Sequence, residues 1–246
     1  DVSGNLSVNR NKVVKLYGGN DVLGQAVDIS VINDNINLLR EGEPIGTFFG
    51  YIEKGYDATG KIVYEDFNDN GTRDLGDKRI IGNPHPDFIY GLNSNMSFKN
   101  FELNIFIQGS QGNDIFNVSA VNQTLDYGQA LNMPREVYEN HWTPENPNAK
   151  YPVISRSTST QVSDRFVEDG SYLRFKNIQL SYNLPVDNLK LSWLSKAQIY
   201  VSGQNLITFT DYSWYDPEIN SYGGDESIIR IGIDHYSYPT SKSMTV

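Results

Sequence analysis

The chain has 246 residues, enough for one large domain or two small ones with a sizeable core. Asp and Glu outnumber Lys and Arg by 30 to 20, and the resulting net charge of -10 argues against nucleic acid as a partner. The absence of cysteine excludes thiol catalysis, disulfides and Cys-ligated metals, and no apolar run approaches the ~18 residues of a membrane-spanning helix. A spanning β-strand needs only about 9–11 residues with alternate positions facing lipid, so a membrane location through strands stays open. The first residues, Asp1-Val2-Ser3-Gly4-Asn5, lack the basic start and apolar stretch of a secretory signal, which a secreted protein would already have lost.

In chain order, residues 2–14 read as a weak polar strand, followed by a long connection over residues 15–86. That connection contains the sharpest local motif, Asp66-Phe67-Asn68-Asp69-Asn70-Gly71-Thr72-Arg73-Asp74-Leu75-Gly76-Asp77. Side-chain oxygens of Asp66, Asn68, Asn70, Asp74 and Asp77 fall at loop positions 1, 3, 5, 9 and 12. Gly71 stands at position 6, and Thr72 would offer its backbone carbonyl. This is calcium-loop spacing, and its length favours Ca²⁺ over Mg²⁺. It departs from an EF-hand in having Asp77 where a bidentate Glu belongs and in lacking flanking helices. The plainer reading is a polar turn. A cation here would be a structural clip, not a catalytic centre.

Two strands follow. Phe88, Tyr90, Leu92, Met96 and Phe98 alternate with Gly91, Asn93, Asn95 and Ser97, Ile89 being the exception. After Lys99-Asn100 the pattern restarts as Phe101, Leu103, Ile105 and Ile107 against Glu102, Asn104, Gln108 and Ser110. Period-2 strands with a two-residue break predict a tight hairpin with one apolar and one polar face. A second long connection, residues 111–170, contains one predicted helix over Arg135 to Trp142, capped by Asn132 and ended by Pro144. Tyr172 to Leu184 and Ala197 to Phe209 repeat the strand theme around a short connection from Pro185 to Lys196. The alternation blurs at Asn205-Leu206, where a bulge is expected. The third long connection, residues 211–238, leads to the start of a last strand at Ser241 to Val246.

Long and short connections thus alternate strictly. Connections this long are uncommon in an ordinary sandwich, whereas a transmembrane barrel has short periplasmic turns and long extracellular loops. The polar strand faces (Asn, Gln, Ser, Glu) also fit a wet lumen better than the apolar interior of a small soluble barrel. The predicted fold is all-β: an antiparallel meander of about six strands forming part of a large transmembrane barrel.

Catalysis finds no support. His85, His141 and His235 stand in separate segments outside any metal-binding pattern, and there is no Gly-x-Ser-x-Gly elbow. His141-Trp142 and Tyr212-Ser213-Trp214-Tyr215 lie in long connections, where their rings could stack on a sugar or touch a partner protein. Loop packing and the aromatic girdle of a membrane interface are the plainer alternatives.

Four blocks carry a family resemblance. The calcium-like motif runs on into Ile80-Ile81-Gly82-Asn83-Pro84-His85-Pro86-Asp87-Phe88-Ile89-Tyr90-Gly91. Next come His141-Trp142-Thr143-Pro144-Glu145-Asn146-Pro147-Asn148-Ala149-Lys150-Tyr151-Pro152 and Val167-Glu168-Asp169-Gly170-Ser171-Tyr172-Leu173-Arg174-Phe175-Lys176-Asn177-Ile178. The last is Val201-Ser202-Gly203-Gln204-Asn205-Leu206, with Tyr215-Asp216-Pro217-Glu218 beyond it. In this order they resemble the C-terminal region of SusC/RagA-type TonB-linked proteins. The resemblance implies a plugged barrel of about 22 strands in the bacterial outer membrane. It also implies import of glycans or peptides with TonB-derived energy, and pairing with a SusD-type surface lipoprotein. Residues 1–246 would be the C-terminal barrel segment, the plug domain and earlier strands lying outside it and the final strand cut short. TonB would act through that plug, and the bilayer would surround the apolar face. A soluble, secreted, calcium-stabilised β-sandwich that binds carbohydrate is the competing reading.

Overall fold

A computed structural model describes residues 1–24, 26–29, 31–125, 132–155, 160–186, 194–219 and 229–246. Its dominant feature is a six-stranded antiparallel sheet, the wall, whose strands lie side by side in chain order. They are β1 (Val2–Ser7), β2 (Phe88–Phe98), β3 (Phe101–Gln111), β4 (Tyr172–Asn183), β5 (Gln198–Thr210) and β6 (Ser243–Thr245). The predicted hairpin forms with Phe98 opposite Phe101, and Lys99 takes the left-handed conformation (φ 54°) that the two-residue turn requires.

Pairing aligns the alternating apolar sets on one face, with Ile89 and Phe106 as exceptions on the other. Leu92 lies opposite Ile107, Met96 opposite Leu103, Leu103 opposite Leu180, and Leu180 opposite Val201. Leu6 and Tyr90 extend this belt at one edge, and Gly203 with Met244 at the other. The alternation slips at two places. Lys176 is skipped in the pairing of β4 with β3, and Asn205-Leu206 faces that single residue from β5, with Asn205 at φ 52°. The bulge predicted at Asn205-Leu206 is therefore present.

Two expected elements need correction. The first strand stops at Ser7 instead of reaching residue 14. Val13 instead exchanges hydrogen bonds with Gly42 and Glu43 (2.9 Å each), away from the wall. The helix predicted over Arg135 to Trp142 is only Arg135–Glu139, and Pro134, not Asn132, occupies its N-cap. It ends early because Trp142 and Tyr151 donate backbone hydrogen bonds to Tyr151 and Asn140, respectively, turning the chain back on itself. Most of the connection from Pro185 to Lys196 lies outside the described residues.

The described residues of the three long connections are not loose loops. They fold together into a cap of short strands around one apolar core, built from Val27, Ile32, Ile36, Phe48, Phe116, Val118, Val121, Leu125, Val162, Phe166 and Ile233. Phe48 comes from the first connection and Phe116 from the second, with ring centroids 6.1 Å apart at 71°. The segment Asp114–Asn117 pairs antiparallel with Val167–Asp169 and parallel with Ile233–Asp234, which recruits the third connection. Gly232, at φ 74°, sits where any Cβ would meet Phe48 and Pro84 at 2.8 and 2.5 Å, so this close approach requires glycine. Two helices, α1 (Val118–Leu125) and α2 (Arg135–Glu139), make the chain mostly rather than wholly β. Asn117 starts α1 by accepting the amide of Ala120 at 2.8 Å, and Val118, Val121 and Leu125 bury one face.

Candidate functional site: the polar wall face and the root of the cap

The face of the wall opposite the apolar belt is built from amides. Asn104 donates to Asn93 (3.3 Å) and to Asn95, while Asn177 on the next strand donates to Asn104 (3.2 Å). Gln179 reaches Ser181 (3.1 Å), and Asn183 and Gln198 both reach Glu102 (2.7 and 3.4 Å). An amide side chain carries both donors and an acceptor, so the ladder offers neutral hydrogen-bonding groups over several strands. An open cleft of about 300 Å³ lies among Asn95, Ser97, Glu102, Asn104, Gln179 and Ser181. The opposite face is different. Leu6, Leu92, Met96, Phe98, Phe101, Leu180, Ile199, Ile207, Phe209 and Met244 are all exposed there, and no cap core residue covers them. A soluble sandwich would need a second sheet over this belt; among the described residues there is none.

Where the polar face meets the cap, Arg174 is almost fully buried, at 2% exposure. The slip at Lys176 puts it on the polar face: it lies opposite Gln108 and Thr208, whereas Phe175 joins the belt opposite Ile107 and Ile207. Its guanidinium donates to Thr208 (2.9 Å), Glu218 (2.8 Å), Thr240 (2.8 Å) and Asp216. Asp216 also accepts the amide and hydroxyl of Thr240 (2.9 and 2.5 Å), and Lys176 reaches Glu218 at 2.7 Å. Burial alone would push the Asp216 carboxyl up, but the hydrogen bonds from Arg174 and Thr240 outweigh it and hold it below the usual carboxylate range. Removing one member of such a buried set costs roughly 3–5 kcal/mol, because its partners are left charged and dry.

A second pair joins the first and second connections. Arg165 makes a two-pronged contact with Glu53 and also donates to the Lys150 carbonyl (2.8 Å). Burial opposes its charge, but Glu53 and Tyr56 together hold it more firmly protonated than a free arginine.

The calcium-like motif is a closed loop knitted by its own side chains. Asp66 accepts the amides of Asn70 (3.2 Å) and Gly71 (2.7 Å), and Asn70 accepts the amide and hydroxyl of Thr72 (2.7 Å each). Asn68 and Asn70 donate to Asp74 (3.3 and 2.7 Å), and the Asn70 amide with the Gly76 amide keeps the Asp74 carboxyl low. Asp66, Asn68, Asn70 and Asp74 are thus brought together. Asp77 turns into the loop's base, 1% exposed, accepting the amides of Phe67 and Asp74 (3.0 Å each). Among the described residues no group of three or more His, Asp or Glu side chains is placed to hold a metal.

The aromatic candidates separate. Tyr212 is buried and donates to Asp234 at 2.6 Å, so it is a core residue and not a contact surface. Burial and the Asp234 carboxylate both raise its phenol far above the ordinary range. Trp142 is half-buried against Gly60, where a Cβ would meet its ring at 2.5 Å; this ring packs the cap. His141 is half-buried and engages the Tyr138 carbonyl at 2.6 Å. Trp214 is half-buried with Tyr215 edge-on to it (5.2 Å, 65°), and Tyr215 is 70% exposed. His85 and His235 lie in other parts of the cap, and among the described residues the three histidines do not come together.

Known proteins match this arrangement over nearly the whole chain. The TonB-dependent receptor P3 of Formosa agariphila is 36% identical over 98% of the chain, and SusC of Bacteroides thetaiotaomicron is 29% identical over 97%. The chain is homologous to about a quarter of a SusC/RagA-type TonB-dependent receptor. It spans 26% of the length of receptor P3 and 23% of that of SusC. No family model matches. The solved RagAB peptide transporter superposes on 99% of the chain with a TM-score of 0.78 at 23% identity, which shares the fold, and the RagAB importer in its closed-closed state gives 0.71. TonB-dependent receptors reside in the bacterial outer membrane, and those matched here are not enzymes. The blocks around Arg174 and Asp216–Glu218, separate in sequence, are the ones that meet in the buried ion cluster.

Proposed function

We propose that this stretch of a SusC/RagA-type receptor forms the C-terminal part of the barrel wall and the adjoining outer cap of an importer. The apolar belt faces lipid and the amide ladder faces the lumen. The observation that carries this reading is the register itself: six strands sort their side chains into one uncovered apolar face and one amide face. Strands of 11–13 residues rise roughly 3.4 Å per residue. At the usual barrel tilt that is about 30 Å of height, enough for an apolar band of about 25 Å.

The whole receptor would move a glycan or peptide inward using energy delivered by TonB through a plug outside this stretch. The cap would form the vestibule, with a SusD-type lipoprotein closing over it. SusC and the RagAB transporter support this reading through homology and fold. The test is uptake of labelled oligosaccharides and oligopeptides by cells expressing the full-length receptor, with TonB and the neighbouring lipoprotein present or deleted. Uptake of one class that stops without TonB is expected; TonB-independent uptake, or none, contradicts it.

Calcium on the Asp66–Asp77 loop is a separate proposal. Asp66 and Asp74 would exchange their internal hydrogen bonds for the cation. Calcium titration calorimetry on the purified receptor, with Asp66→Asn and Asp74→Asn as controls, tests it. Heat that vanishes in both variants is expected, and heat unchanged in them removes the proposal.

A further inference from the structure

The Arg174 cluster does more than bury charge. Just beyond β5, residues 212–218 run beside residues 234–240, and hydrogen bonds tie the two segments at both ends. Tyr212 bonds Asp234 at one end, and Asp216 bonds Thr240 at the other. Between the ties lie Trp214 and Tyr215 on one segment and Tyr236 and Tyr238 on the other. Of these, Tyr215, Tyr236 and Tyr238 are solvent-exposed. Tyr236 holds a left-handed φ of 58°, uncommon for a bulky residue and kept only where its surroundings enforce it. Its amide donates to the buried Ser119 hydroxyl at 2.7 Å. Arg174 projects from the polar face of the wall into the Asp216–Thr240 tie, so the double segment is rooted on that face and not on the apolar belt.

We propose that Arg174 is a positioning residue: it fixes the paired segments 212–218 and 234–240, with Trp214, Tyr215, Tyr236 and Tyr238, over the polar face of the wall. A buried ion cluster is a weak source of net stability, since apolar residues of similar volume often match it. What a guanidinium supplies is direction. Its planar donors here hold two carboxylates and two hydroxyls from three chain segments in one arrangement, which a lysine cannot reproduce. Glu218 completes the root from the other side, bridging Arg174 and the bulged Lys176. The consequence for ligand handling rests on the proposed transport function; the positioning itself does not.

The test uses the full-length receptor in outer membranes with Arg174→Met, Arg174→Lys and Glu218→Gln. Three quantities are read: the amount of assembled barrel, the rate of external protease cleavage mapped within residues 211–242, and uptake against concentration of labelled oligosaccharide and oligopeptide. Arg174→Met should assemble yet be cleaved at least tenfold faster in that segment. The concentration for half-maximal uptake should rise more than the maximal rate per barrel falls, with Arg174→Lys in between. If Arg174→Met does not assemble, Glu218→Gln, which removes a half-exposed partner, should show the same cleavage change. Wild-type cleavage in an assembled variant overturns the proposal, as does a fall in maximal rate alone. If the wild type takes up neither probe, the transport reading fails while the cleavage ratio still decides the positioning role.

Discussion

Replacing Phe116 with alanine should open the cap while leaving the wall in place. Phe116 is completely buried, lies edge-on to Phe48 at 6.1 Å and touches Phe166 at 6.3 Å. A buried phenylalanine removes about 200 Å² from water, or roughly 5 kcal/mol at 25 cal/mol per Å². That is the upper end of the ~3–5 kcal/mol found for such truncations. Because Phe116 joins all three connections, through Phe48, its own strand and Ile233, the loss should fall on the cap as a unit. Hydrogen exchange on the intact receptor measures this directly. Amides of Ile115, Phe116 and α1 should open some 100- to 4,000-fold more readily, by the conversion of about 1.4 kcal/mol per decade, while β2 to β5 keep their protection. A change below tenfold, or equal loss in the wall strands, would refute the idea of a cap with its own core.

Other consequences can be checked singly. Gly109→Val should lower the yield of assembled barrel, because a Cβ there would stand 2.3 Å from the Tyr90 ring and 2.6 Å from the Tyr172 carbonyl; heat-modifiable migration on gels reads this out. Gly60→Ala should shift Trp142 fluorescence, since φ 80° strains any side chain and the new methyl would meet the indole. The Asp216 carboxyl has a depressed folded pKa, so its contribution is fully present above its ordinary value of 3.8 and is lost only as pH falls through the lower folded value. Protease resistance of residues 211–219 should therefore stay flat from neutral pH down to the ordinary carboxylate range and fall below it. Loss already between pH 7 and 5 would contradict the assignment.

Much of the wall was legible in the sequence because its period-2 pattern is local. Phe88 to Phe98 and Phe101 to Ile107 each show their two faces without reference to any partner, and the blur at Asn205-Leu206 marked a real bulge. Arg174 was missed as a buried anchor because the slip at Lys176 reverses the face of everything before it, which only pairing reveals. The cap was hidden for a different reason. Its strands are two to four residues long, too short for periodicity, and its core draws single residues such as Ile36, Phe48, Phe116 and Ile233 from connections far apart in sequence. Helix α1 left a local trace, Asn117 before Val118, Val121 and Leu125, but a neighbouring proline made Arg135 to Trp142 the more visible candidate. The aromatic candidates divided by burial, and burial depended on contacts no spacing discloses: Tyr212 found Asp234, and Trp142 found Gly60.

The central claim is that β4 crosses a membrane with one face in lipid and the other in water. This stretch has no cysteine, so single cysteines at positions 177 to 182 of the full-length receptor can each carry a nitroxide. Collision with oxygen, which concentrates in lipid, is then compared with collision with a water-soluble nickel complex. Ile178, Leu180 and Tyr182 should favour oxygen, and Asn177, Gln179 and Ser181 should favour nickel, alternating residue by residue. Uniform access to nickel along the strand, or no alternation, would contradict the account.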